Sequence, residues 1–161
     1  FLASLIKSHI VPVPPEPSVS MSPIIERGDV FLVNKSIYRK SRPQKGDIIV
    51  FDYPYDTKKA FVKRVIAQEN DSVEIKSGKV YINDMLDPEQ SIAKNTYLND
   101  GQFGGINQKI KIPDGHYYVL GDNSGHSKDS RHWGFVAERN IIGKVYKIIY
   151  PFNRSGPLNS N

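Results

Sequence analysis

Three hydroxyls at alternate positions, Ser18, Ser20 and Ser22, stand between a proline-rich approach and Pro23. Pro12, Pro14, Pro15 and Pro17 hold the approach extended, and Pro23 biases Ser22 away from helical backbone, so the middle hydroxyl is presented on a shaped turn. A hydroxyl on fixed backbone suits nucleophilic attack if a base takes its proton. Serine turns also bond their own backbone, so the chemistry needs a partner elsewhere in the chain. Lys63 is the candidate base. It lies in the apolar run Phe61-Val62-Lys63-Arg64-Val65-Ile66, and strand alternation puts it on the face of Phe61 and Val65. If that face is covered, desolvation disfavours the ammonium and leaves an amine able to accept a hydroxyl proton. Arg64 points the other way, where Asp122 or Asp129 could pair with it. The competing base is His126, in a triad with Ser20 and either Asp122 or Asp129, because histidine needs no desolvation to work near neutral pH.

The elements that must position these groups read as strands. Val30-Phe31-Leu32-Val33 follows the turn signal Gly28-Asp29, and Lys45-Gly46-Asp47 leads into Ile48-Ile49-Val50-Phe51. After Pro54 and a polar link from Asp56 to Lys59, the Lys63 run forms a third strand. Continuous apolar runs imply strands covered on both faces, as in a coiled sheet or barrel. Val73 to Ile75 and Lys79 to Ile82 flank Ser77-Gly78 as a hairpin. Residues 84–110 are polar and glycine-bearing without a period, and read as an inserted, loop-rich lobe. Strands resume at Ile110 to Ile112, His116 to Leu120 and Ile141 to Tyr150, while Ser155 to Asn161 reads as a disordered tail. No stretch carries a helical apolar face over three turns, so the expected fold is mainly β, with coiled antiparallel, barrel-like sheets.

The 161 residues suffice for one domain with a proper core. Twenty-two Lys+Arg against 17 Asp+Glu give a net charge of +5 without long runs of one sign, which argues against a nucleic-acid arm and leaves a basic face for anionic lipid as a second reading. With no cysteine, disulfides, thiol catalysis and thiolate zinc sites are excluded, and the four histidines lack metal-site spacing. Phe1 to Val13 is apolar but interrupted by Lys7 and His9 and too short to span a bilayer. It reads either as a terminal core segment or as the remnant of a membrane anchor, with residues 14–161 as the catalytic domain.

Three ordered pieces resemble one family. Ser18-Val19-Ser20-Met21-Ser22-Pro23, the strand pair Lys63-Arg64, and Gly121-Asp122-Asn123 followed by Ser127-Lys128-Asp129-Ser130-Arg131-His132-Trp133-Gly134-Phe135 are similar to the motifs of the type I signal peptidases, membrane-anchored Ser-Lys endopeptidases of the secretory route. The resemblance spans about Pro17 to Gly143, apart from the inserted lobe. It implies Ser20 as nucleophile, Lys63 as general base, Ser18 with the Ser20 N–H as oxyanion donors, and Ser127 orienting the lysine. It implies that Arg64, Asp122, Asp129 and Arg131 brace the loop, and that Pro17, Met21, Ile25, Phe61 and Val62 line the substrate pockets. The implied substrates are preproteins cut after Ala-x-Ala, bound as an added strand, with no cofactor or metal. The implied location is the plasma (inner) membrane, with the catalytic domain on its outer, periplasmic side and the single-pass anchor missing.

The chain departs from that pattern at Val19, where glycine is usual, at Pro14-Pro15-Glu16, at Glu69-Asn70-Asp71, where only a turn should change, and at Ser124-Gly125-His126. Two other functions compete. A self-cleaving repressor-type Ser-Lys protein needs a scissile linker, which is not seen upstream, and a catalytically silent β-rich peptide-binding module would leave an Ala-x-Ala peptide intact.

Overall fold

The run Ile48-Ile49-Val50-Phe51 cannot hide its side chains on one side of a pleated strand, because successive residues point to opposite faces. The structure, a computed structural model that describes residues 10–13, as backbone, and 18–158, covers both faces. On one, Ile48 and Val50 pack with Met21, Ile25, Phe31, Val33, Val62, Val145 and Ile148. On the other, Ile49 and Phe51 pack with Val65, Tyr117, Val119, Trp133 and Val136. Side chains of this size contribute about 1.5–3 kcal/mol each when fully buried, so these two layers fix the central strand.

In chain order the strands are β1 (Ile10–Val13), β2 (Val30–Asn34), β3 (Ile48–Tyr53), β4 (Asp56–Gln68), β5 (Ser72–Lys76) and β6 (Lys79–Ile82). They are followed by β7 (Met85–Leu86), β8 (Ile110–Lys111), β9 (His116–Leu120), β10 (Val136–Ala137), β11 (Ile141–Tyr150) and β12 (Gly156–Pro157). The larger sheet runs β1-β2-β11-β3-β4-β9-β10, with β12 against β11, and the smaller runs β7-β6-β5-β8. Every pairing is antiparallel. The fold is therefore mainly β as expected, but the sheets stay open and do not close into a barrel.

Three local readings change. The polar residues Asp56 to Lys59 are not a link but the exposed first part of the 13-residue β4, since a strand end beyond the core needs no apolar face. Beyond Val65 the pairing of β4 with β9 shifts register, and Ile66 and Ala67 enter a third core with Val73, Ile75, Val80, Tyr97 and Leu120 under the small sheet. The tail is ordered as far as Leu158, because β12 adds to β11 and Leu158 N–H donates to the Tyr146 carbonyl at 2.9 Å. Pro17, the Pro14-Pro15-Glu16 departure and residues 1–9 and 159–161 lie outside the described residues.

The Glu69 departure is confined to a turn. Asn70 takes a positive φ of 69°, and Asp71 N–H closes the turn on the Gln68 carbonyl at 3.0 Å. Glu69 accepts a hydrogen bond from the Arg42 guanidinium and another from Gly115 N–H at 2.6 Å, which together lower its pKa from 4.5 to about 2. A depressed folded pKa stabilises fully above the unfolded value and is lost as pH falls through the folded one. Denaturant midpoints of the native chain and Glu69→Gln are therefore expected to differ at pH 6 and converge toward pH 2. A gap that does not change with pH would contradict the assignment.

Candidate active site

The three turn hydroxyls have different partners. Ser22 Oγ donates to Glu26 Oε1 at 2.7 Å and so serves the loop itself. Ser18 Oγ lies 3.1 Å from Ser20 Oγ and 3.4 Å from Ser20 N. The turn is closed by Ser22 N–H on the Val19 carbonyl at 3.1 Å and Ile25 N–H on the Met21 carbonyl at 3.0 Å, with a cis peptide bond at Ser22–Pro23. Asn123 fixes it from the facing loop, donating N–H to the Ser20 carbonyl at 3.0 Å and Nδ2 to the Val19 carbonyl at 3.1 Å. Valine at position 19 is thus accommodated through its backbone.

Lys63 Nζ donates to Ser20 Oγ at 2.8 Å and to the Val62 carbonyl at 2.8 Å. The lysine is only 5% exposed, as is Ser20. Its amine lies 5.5 Å from the centre of the Phe61 ring, and Phe61 stacks on Tyr53 at 4.7 Å and leans on Trp133 at 5.5 Å. Ring and carbonyl favour the charged amine locally, while burial disfavours it. With the amine neutral and the hydroxyl hydrogen turned toward it, the same 2.8 Å separation suits transfer of the hydroxyl proton to nitrogen. His126 is not in that position: it is exposed, and its Nδ1 lies 3.3 Å from Asn123 Oδ1.

Two buried ion pairs hold the loop from Gly121 to Arg131 behind Ser20 and Lys63. Arg64 meets Asp122 through Nε at 2.7 Å and Nη2 at 2.5 Å, and donates Nη1 to the Gly46 carbonyl at 2.8 Å. Arg131 meets Asp129 through Nε and Nη2, both at 2.8 Å, and reaches the carbonyls of Ser124 at 2.8 Å and Ser127 at 3.2 Å. Burial works against both guanidinium charges, but the aspartate bonds outweigh it, so both arginine pKa values are raised. The sequence left the partner of Arg64 open between Asp122 and Asp129, and the register of β4 against β9 resolves it: Arg64 stands opposite Leu120, two residues before Asp122.

Ser127 is brought to the same place. It is 7% exposed, a Cβ at Gly121 would overlap its hydroxyl and crowd the Ser20 carbonyl, and its Oγ makes no hydrogen bond among the described residues. Met21, Ile25 and Val62 are 1%, 0% and 7% exposed and pack in one core layer, while Phe61 is half-buried against the other.

Two supports escaped the sequence reading. Arg154, just before the supposed tail, pairs with Asp29 at 2.9 Å and donates to the carbonyls of Pro23 and Ile24 at 3.3 and 3.4 Å, clamping the segment after Ser20. The loop Leu98 to Gly105 grips the catalytic loop. Leu98 N–H donates to Ser124 Oγ at 2.8 Å, Phe103 N–H donates to the Arg131 carbonyl at 2.7 Å, and Arg131 Nη1 donates to the Leu98 carbonyl at 3.1 Å. A side chain at Gly101 or Gly104 would collide with Arg131, which is the reason for the glycines that made this stretch look irregular.

A serine hydroxyl against a buried amine, on an antiparallel scaffold, is what a serine hydrolase with a lysine base requires. The family described as signal peptidase, peptidase S26, matches residues 1–150. The chain is 39% identical over 151 residues to a probable signal peptidase I-1 of Synechocystis, covering 89% of this chain and 74% of that protein. It is 32% identical over 188 residues to a signal peptidase I of Aquifex aeolicus, covering 83% and 73%. A crystal structure of a signal peptidase I from Enterococcus faecalis superposes with a TM-score of 0.52 at 31% identity, covering 65% of this chain and 97% of that one. The chain belongs to the signal peptidase family, peptidase S26.

Proposed function

We propose that this chain removes signal peptides from preproteins as a type I signal peptidase, with Ser20 as nucleophile and Lys63 as base. The observation that carries the reading is the 2.8 Å contact between a 5% exposed lysine amine and the serine hydroxyl. Neutral Lys63 takes the Ser20 proton as Oγ attacks the scissile carbonyl, and the developing oxyanion is met by the Ser20 N–H and the Ser18 hydroxyl. Lys63 then returns the proton to the leaving amine as the peptide C–N bond breaks, leaving an acyl-serine. A water molecule, deprotonated by the same amine, attacks the ester and frees Ser20.

The Ser127 hydroxyl, buried beside the Ser20 carbonyl and without a hydrogen bond among the described residues, is available to orient the Lys63 amine. The preprotein binds extended, with small Ala-x-Ala side chains over Met21, Ile25, Val62 and Phe61. The family's substrates are exported proteins, so we assign its work to a membrane, with the catalytic unit on the outer face. Among the described residues no helix is long and apolar enough to cross a bilayer.

The test is cleavage of an Ala-x-Ala preprotein peptide in detergent. A single cut after the second alanine is expected from the native chain and none from Ser20→Ala. Equal hydrolysis by both would take Ser20 out of the chemistry and sink the reading, and negligible hydrolysis by both would sink it in favour of the silent peptide-binding module.

A further inference from the structure

A cleft of about 340 Å³ opens beside the nucleophile turn, walled by Pro23 and Ile24 on one side and by Lys94 and Asn95 on the other, with Asp122 at its floor. It adjoins the reacting group: Pro23 is three residues from Ser20, and Asp122 lies between Gly121, which crowds the Ser20 carbonyl, and Asn123, which donates to it. Both walls are held in place. Arg154 bonds the carbonyls of Pro23 and Ile24. Lys94 ends the helical turn Gln90–Ala93, its N–H donating to the Gln90 carbonyl, and Asn95 Nδ2 donates to the Ser91 carbonyl at 3.2 Å and to the Tyr97 hydroxyl at 3.1 Å. A volume of this size, at the low end for preformed ligand sites, holds one or two amino-acid side chains.

The charge in the cleft is not balanced. Asp122 is buried and already paired with Arg64 through two hydrogen bonds, so the floor is electrically closed. No carboxylate among the described residues forms an ion pair with Lys94, the other charged residue lining the cleft. Lys94 is exposed and its amine makes no hydrogen bond or ion pair among the described residues. An unpaired cation at the rim of a preformed cleft beside a nucleophile selects for negative charge on the polypeptide that reaches the nucleophile. We propose that Lys94 is a specificity-determining residue, and that this cleft receives an acidic side chain of the preprotein close to the scissile bond. Because the cleft is lined by residues of the nucleophile turn and of the loop bonded to it, that side chain belongs to the few residues on either side of the cut. This inference rests on the peptidase reading above.

The experiment uses Ala-x-Ala peptides carrying a single Glu or Lys at each variable position from three before to three after the cut, with an all-alanine reference. At one position kcat/KM for Glu is expected to exceed that for Lys by about fivefold at low salt, narrowing at high salt as for an exposed ion pair. Lys94→Arg should keep that preference and Lys94→Glu should invert it, while the reference is cut equally by all three chains. No position at which Lys94→Glu changes the Glu-to-Lys ratio by more than about twofold would overturn the proposal. Failure of the native chain to cut the reference would overturn it together with the peptidase reading, and the reference distinguishes the two failures.

Discussion

Lys63→Met is expected to lower kcat/KM by about 10⁴-fold without lowering the melting temperature, because it removes the base and leaves an apolar side chain in an apolar place. The substitution keeps the length of the stem that packs near Phe61 and takes away only the amine that contacts Ser20 and the Val62 carbonyl. A buried charge-bearing group exchanged for a hydrophobe of similar volume is often neutral or stabilising. Activity and stability should therefore separate, which a merely structural lysine would not produce. Steady-state cleavage with a parallel thermal melt decides it. Retention of a tenth or more of the native kcat/KM would remove Lys63 from the chemistry, and His126→Ala, expected to be close to native, provides the comparison.

Asp129→Ala should show the opposite pairing of effects. Asp129 and Arg131 are both 0% exposed, and the aspartate accepts two bonds from the guanidinium, one from Gly121 N–H at 3.0 Å and one from Arg131 N–H at 3.3 Å. Truncation leaves a buried guanidinium facing an empty space, which costs about 3–5 kcal/mol. For a chain of this length that is a fall of about 10 °C in melting temperature. Activity should fall with it, because Gly121 lies against the Ser20 carbonyl and Arg131 holds the carbonyls of Ser124 and Ser127. A loss of less than about 1 kcal/mol in urea unfolding would show that the pair is not a brace.

Local patterns placed Ser20 on a restrained turn and Lys63 on a strand face, but it was the resemblance to the type I signal peptidases that singled the two out as a pair. Prolines around Ser20 restrict backbone, and alternation in the Lys63 strand fixes which face the amine shares with Phe61 and Val65. The strand run Ile48 to Phe51 was equally readable, since an unbroken apolar stretch has only one economical solution. What escaped depends on contacts distant in sequence. Nothing near Arg154 signals that it will reach Asp29 and the Pro23 carbonyl more than a hundred residues away, and nothing in the polar segment from Ser155 signals that β12 will add to β11. The 98–105 loop has no period because its backbone is shaped to Arg131 and not to a sheet or helix, and Gly101 and Gly104 were the only sign of that close approach. The choice between Asp122 and Asp129 for Arg64 required strand register, which single-strand patterns do not contain.

The claim on which the rest depends is that the Lys63 amine works uncharged. Because only the neutral amine can accept the Ser20 proton, cleavage must rise as pH climbs through the Lys63 pKa and level off above it. The direct measurement is an NMR titration of Lys63, with its Cε and Nζ isotopically labelled, set beside the pH profile of kcat/KM for an Ala-x-Ala peptide. The account predicts that the Lys63 midpoint lies well below the ordinary lysine value of about 10.4 and coincides with the acid limb of the rate profile. A Lys63 that titrates at the ordinary value while cleavage is already maximal near neutrality would contradict it.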